Sequence, residues 1–232
     1  MSGLSLILEE LARALEPHGL LLRGVVPFEP GQGGPDLADG KPALTLVLIG
    51  NAGGSLWEPF SRWRKLQPDR GGPDPLDRWS AQVIGPLATR YGATAYFPSD
   101  QPYQPFQQWA MRAEGLKASP LGILIHPLYG LWHGYRGALG FAEALDGGAE
   151  QRHQPQPCET CIGKPCLTHC PVEAVGMERF DVASCRSYLS SDEGKAGCMV
   201  KGCAARNACP IGAAYRYPAG QLRFHMQALK RL

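Results

Sequence analysis

Cys158-Glu159-Thr160-Cys161-Ile162-Gly163-Lys164-Pro165-Cys166-Leu167-Thr168-His169-Cys170-Pro171 opens the stretch on which the reading of this chain turns. All eight cysteines lie between 158 and 209, the others being Cys185, Cys198, Cys203 and Cys209, and both Cys170 and Cys209 precede a proline. The spacings are C-x2-C-x4-C-x3-C-P and then C-x12-C-x4-C-x5-C-P. Bacterial two-cluster iron–sulfur proteins use C-x2-C-x2-C-x3-C-P, in which the fourth cysteine ligates the other cluster. Both halves here are wider, with Gly163-Lys164-Pro165 and the glycines around Cys198 and Cys203 available to fold a wider loop. Cys170-Pro171-Val172-Glu173-Ala174-Val175 is faintly repeated as Cys209-Pro210-Ile211-Gly212-Ala213-Ala214. The pattern predicts two [4Fe–4S] clusters, one on Cys158, Cys161, Cys166 and Cys209, the other on Cys170, Cys185, Cys198 and Cys203. Structural zinc sites also use C-x2-C pairs, and zinc or a single cluster with spare thiols stays open; disulfides fit least.

The rest of the chain sets the frame. Its 232 residues suit one large domain or a domain of about 150 residues with a smaller companion. With 29 glycines and 21 prolines, well above the usual share of about 12%, turns and connections are many. A net charge of +2 offers no field for nucleic acid or a membrane surface. The apolar run 4–8 stops at Glu9-Glu10 without a basic flank, so no secretory signal is expected; residues 118–135 are uncharged but interrupted by prolines, glycines and histidines, which argues against a transmembrane helix. Closely spaced cysteines without an export signal predict a cytoplasmic, metal-binding protein.

Leu4, Ile7, Leu8, Leu11 and Leu15 mark one face of a helix ended by Pro17 and Gly19. Residues 20–28 and the continuous apolar run 43–49 read as strands, the second one buried. Gly50-Asn51-Ala52-Gly53-Gly54-Ser55 reads as a loop before a helix, Ser55 and Glu58 forming a capping box; the glycines fit a tight turn better than a phosphate cradle. Asp74-Pro75-Leu76-Asp77 starts a helix to about Arg90, residues 93–97 form a strand, and Pro105 opens a helix through Glu114. Strands are expected at 121–125 and 135–141, and a closing amphipathic helix from Gln221. The domains drawn are 1–145, a linker at 146–157, a cysteine-rich part at 158–217 and a carboxyl-terminal helix at 218–232.

Two resemblances follow from particular residues. The run Arg179-Phe180-Asp181-Val182-Ala183-Ser184-Cys185-Arg186-Ser187-Tyr188-Leu189 is similar to the surroundings of the isolated cysteine in the ferredoxin part of epoxyqueuosine reductases, a cysteine that joins the second cluster there. The run from Ile125 to Gly137, with His126, Pro127, Gly130, Trp132, Arg136 and Gly137, resembles the I-H-P-x-x-G-x-W-x-x-x-R-G of the cobalamin-processing family that removes the upper ligand of vitamin B12. Without the resemblance, the same stretch reads better as a packed hairpin with satisfied histidines than as a ligand-gripping rim. The implied fold is α+β: a nitroreductase-like sheet-and-helix domain followed by a small ferredoxin-like dicluster domain. His126, Trp132 and Arg136 become the residues expected beside the corrin.

Together these readings imply a cobalamin-dependent or cobalamin-processing iron–sulfur oxidoreductase. A redox partner protein would donate electrons, and the clusters would pass them to a cobalamin for cobalt reduction or loss of an axial ligand. The alternatives are a plain ferredoxin-type carrier with a docking domain, and a flavin-dependent reductase with FMN at the glycine run. A cobalamin-dependent protein is a further possible partner; nucleic acid and membrane are not expected.

Overall fold

The computed structural model describes residues 3–29, 31, 33–144 and 156–231. In chain order they form α1 (Gly3–Leu15), a 3-10 turn (Glu16–His18), β1 (Leu21–Pro27), β2 (Thr45–Ala52), α2 (Trp57–Leu66), α3 (Pro75–Arg90), β3 (Thr94–Tyr96), α4 (Phe106–Glu114), β4 (Lys117–Ala118), β5 (Leu124–Ile125) and β6 (His133–Phe141). Short helices follow, α5 (Pro157–Thr160), α6 (Val182–Ser190), α7 (Asp192–Ala196), α8 (Cys198–Lys201) and α9 (Ala204–Ala208), and then the longer α10 (Ala219–Arg231). The chain divides into two compact units, Met1–Gly115 with Gly134–His153, and Leu116–His133 with Gln154–Leu232. The segment 116–133, drawn from sequence into the amino-terminal domain, thus lies in the cysteine-bearing unit, as does α10. All but the last two residues of the expected linker 146–157 fall outside the described residues.

The first unit is built on a four-stranded sheet in the order β1-β2-β6-β3. β1 runs antiparallel to β2, Leu21 opposite Gly50 and Pro27 opposite Thr45, with an irregularity between Leu22 and Val25. β3 runs antiparallel to β6, Thr94 opposite Gly140. Leu46, Val47, Leu48 and Ile49 have no exposed surface, as an uninterrupted apolar run requires of a strand covered on both faces. On α2, Phe60 lies 6.1 Å from Trp63 and 5.8 Å from Trp79 of α3 between ring centroids, so aromatic edges and faces lock these helices together.

The capping box does not form. Ser55 Oγ donates instead to the Gly19 carbonyl at 2.6 Å, and α2 starts at Trp57 without a side-chain cap. Gly19 has φ +64°, and a β-carbon there would sit 2.0 Å from the Ser55 oxygen, so the two turns meet backbone to backbone. The glycine run begins as strand: Gly50, Asn51 and Ala52 complete β2, the tight turn follows at residues 53–56, and a β-carbon on Gly50 would strike the Gly134 carbonyl.

A buried charge network crosses the first unit. Arg23 on β1, its side chain 1% exposed, makes a bidentate pair with Glu114 through Nε and Nη2 at 3.1 and 3.0 Å, and donates from Nη1 to the Asn51 carbonyl at 3.0 Å. Tyr135 donates its hydroxyl to Glu114, and its ring faces the guanidinium at 4.9 Å. Burial and the neighbouring carboxylate push the Tyr135 phenol well above its usual range, so it remains a donor. Removing one partner of such a pair leaves the other charged and buried, which typically costs about 3–5 kcal/mol. Glu114→Ala is therefore expected to lose about that much unfolding free energy in denaturant titration, and Glu114→Gln less; a loss under 1 kcal/mol for the alanine variant would refute this account.

Candidate functional site

The second unit carries both candidate sites. Its framework is the ribbon β4–β5, with Lys117 opposite Ile125 and Ala118 opposite Leu124, so the expected strand 121–125 pairs only at its end and outside the main sheet. Around this ribbon the cysteine-rich chain folds as short turns. Asp181 caps α6 by accepting from the Ser184 amide at 3.0 Å and its hydroxyl at 2.8 Å. α10 turns Met226 onto Ala174, Cys185, Leu189 and Cys198, and its Leu229 carbonyl accepts from Arg186 at 3.2 Å.

The eight cysteines gather in the two sets that the Cys-Pro crossing predicts. Cys158, Cys161, Cys166 and Cys209 line one enclosed pocket; Cys170, Cys185, Cys198 and Cys203 line another. All eight are free thiols. Burial first, then neighbouring sulfurs, raise the affinity of Cys158, Cys166 and Cys185 for their protons, Cys185 being pushed up to about 11. Each pocket encloses about 20 Å³, room for about one water-sized sphere. Cys166, Cys185 and Cys198 are buried among Leu131, Val175, Leu189 and Met226, acting as small apolar side chains.

Among the described residues no group of three or more His, Cys, Asp or Glu side chains is placed to hold a metal ion. The expected function, an iron–sulfur redox protein whose two [4Fe–4S] clusters take electrons from a partner and pass them to a cobalamin, is corrected on that finding. The physical reason is in the packing: the sulfurs converge on small spaces walled by apolar side chains such as Val175, Leu131, Leu189 and Met226.

The histidine-bearing stretch forms a tight turn. His126 and Gly130 exchange backbone hydrogen bonds at 2.9 and 2.8 Å, and His126 Nδ1 accepts from the amides of Leu128 at 3.0 Å and Tyr129 at 3.1 Å. Tyr129 stacks on the imidazole with centroids 4.3 Å apart. With Nδ1 an acceptor, the neutral ring carries its proton on Nε2. His133 places Nε2 2.9 Å from the Leu124 carbonyl.

Trp132 has no exposed surface and packs against Tyr217 at 5.4 Å; Arg206 lies over both rings, at 4.5 and 4.8 Å, and donates to the Leu131 carbonyl. Arg136 belongs to the first unit, where it meets Asp77 at 3.4 Å. Burial raises the Asp77 carboxyl, with Arg136 opposing. The three residues expected beside a corrin thus have different surroundings: His126 shapes a turn, Trp132 is wholly packed, and Arg136 is ion-paired. Arg206 and Tyr217, which hold Trp132, were missed by sequence reasoning; the one available signal was an arginine amid small residues three positions after Cys203.

No family model matches the chain, and no curated protein does. Among solved structures, the Caenorhabditis elegans B12-trafficking protein CblC, a homologue of human MMACHC, is similar with a TM-score of 0.52 at 12% identity, over 98% of this chain and 95% of that one. The likeness carries the fold, a mixed α/β architecture with an antiparallel sheet and flanking helices. It lends nothing to a ferredoxin-like dicluster domain or to likeness with epoxyqueuosine reductases. No helix among the described residues is long and apolar enough to cross a membrane.

The corrected reading of the cysteines is measurable. Protein purified without oxygen is expected to contain well under one iron and one acid-labile sulfide per chain; about eight of each would reinstate two cubanes.

Proposed function

We propose that this chain binds and handles a cobalamin. The observation that carries the reading is the likeness in fold to a B12-trafficking protein over nearly the whole of both chains. The run from Ile125 to Gly137, which resembles a cobalamin-processing motif, adds a local argument independent of overall shape. Within it the half-buried His126 is the residue proposed to touch the ligand, with its imidazole oriented by two amides and the Tyr129 ring. Trp132, wholly buried, is proposed to support that turn from behind, in packed contact with Arg206 and Tyr217. Arg136 stays engaged with Asp77 and is left out of direct contact. Eight free thiols favour a reducing compartment, the cytoplasm.

This reading assigns the chain a ligand and a carrier's role. Hydroxocobalamin added to the protein is expected to show a saturable shift of its absorbance bands, while FMN added in parallel is expected to show none. His126→Ala is expected to weaken cobalamin binding several-fold, the loss of one hydrogen bond of about 1 kcal/mol. Absence of any spectral change with hydroxocobalamin would overturn the proposal, and a response to FMN alone would point to the flavin alternative.

A further inference from the structure

The second unit contains a cavity of about 560 Å³ that neither the cysteine sets nor the His126 turn accounts for. This volume lies within the range of small-molecule sites, which are mostly apolar with a few convergent polar groups. Pro120, Ile125 and Phe180 give it apolar walls, and the side of Cys158 reaches it.

Its charged groups come from separate segments: Lys117 on β4, Lys164 before the 3-10 turn Pro165–Leu167, Arg179 on the turn ahead of α6, and the acids Glu159 and Glu178. Lys117 and Glu159 cancel in an ion pair of 2.7 Å. Lys164 donates to the Cys158 carbonyl at 3.2 Å, a neutral partner that leaves its charge uncompensated. The Arg179 side chain makes no hydrogen bond or ion pair within 4 Å among the described residues, and its charge acts at longer range on the Asp181 carboxylate, which caps α6 and does not line the cavity. Among the charged residues that line the cavity, Lys117, Lys164 and Arg179 thus outnumber Glu159 and Glu178 by one.

Two further observations agree. Lys164 has φ +34° and ψ +57°, a left-handed conformation that costs a non-glycine residue about 1 kcal/mol or more, and such strain clusters at ligand clamps and other functional sites. The chain's net charge of +2 also hides a segregation: residues 116–133 and 154–232 carry eleven Lys and Arg against six Asp and Glu.

We propose that this cavity binds a small amphipathic monoanion, a carboxylate, sulfonate or phosphoester on an apolar body. Lys164 and Arg179 hold the anionic group, and Phe180, Ile125 and Pro120 pack against the body. The proposal does not depend on cobalamin binding. Its test uses two fluorescent probes, 1-anilinonaphthalene-8-sulfonate and its uncharged relative N-phenyl-1-naphthylamine, with native fold checked by near-ultraviolet circular dichroism. One saturable sulfonate site per chain is expected, with the neutral probe bound at least tenfold more weakly. The double variant Lys164→Gln/Arg179→Gln is expected to lose about tenfold in affinity for the sulfonate and little for the neutral probe. Equal affinity of the wild-type protein for both probes would overturn the proposal whether or not the variant folds, and so would unchanged sulfonate binding by a folded double variant.

Discussion

In the second unit the peptide backbones of two turns touch where no side chain fits. A β-carbon on Gly130 would lie 1.9 Å from the Ile211 carbonyl oxygen, and one on Gly212 would lie 2.2 Å from the Tyr129 carbonyl carbon. Both glycines also have positive φ, which L side chains rarely adopt. Everything nearby depends on that approach. Tyr129 and Tyr215 meet edge to face at 4.9 Å beside it, Leu131 enters the core with Cys166 and Ala205, and the Leu131 carbonyl receives Arg206. Residues 116–133 consequently fold with a cysteine-rich segment that begins some twenty-five residues later.

Where a local pattern sufficed, the elements were legible. The apolar face of α1, the buried run of β2 and the Asp-Pro start of α3 all carry their own periodic or turn signal, and each element forms within three residues of its expected bounds. Local reasoning failed where a distant partner competed. Ser55 reads as a helix cap until Gly19 presents a carbonyl to it, and residues 121–125 read as a sheet strand until most of them prove to be a turn. The division of the cysteines into two sets was legible from the Cys-Pro crossing, because the order of ligands along a chain constrains which can meet. What the space between the sulfurs is like was not, since spacing says nothing of pocket volume or of the apolar side chains that wall it.

The candidate rim shows the same distinction between residue type and environment. A histidine, a tryptophan and an arginine within eleven residues suggested one binding surface, yet each has a separate structural task. His126 Nδ1 closes a turn, Trp132 is sealed under Arg206, and Arg136 offsets an acid whose burial raises its proton affinity. A ligand that meets this turn would do so through the outer edge of His126 and the neighbouring peptide groups, with Trp132 felt through packing.

The two units also treat a guanidinium differently, Arg23 being buried and Arg206 partly so. Arg23 is neutralised by both oxygens of Glu114, so its charge is confined and contributes to stability only while the pair is intact. Arg206 has two aromatic faces and a carbonyl, which attract the cation without cancelling it. Together with the excess of Lys and Arg over Asp and Glu in the same unit, that uncancelled charge favours anionic and electron-rich ligands over cations there. A protein that is nearly neutral as a whole can therefore carry a cationic unit, and it is the placement of charge along the chain, residue by residue, that makes it one.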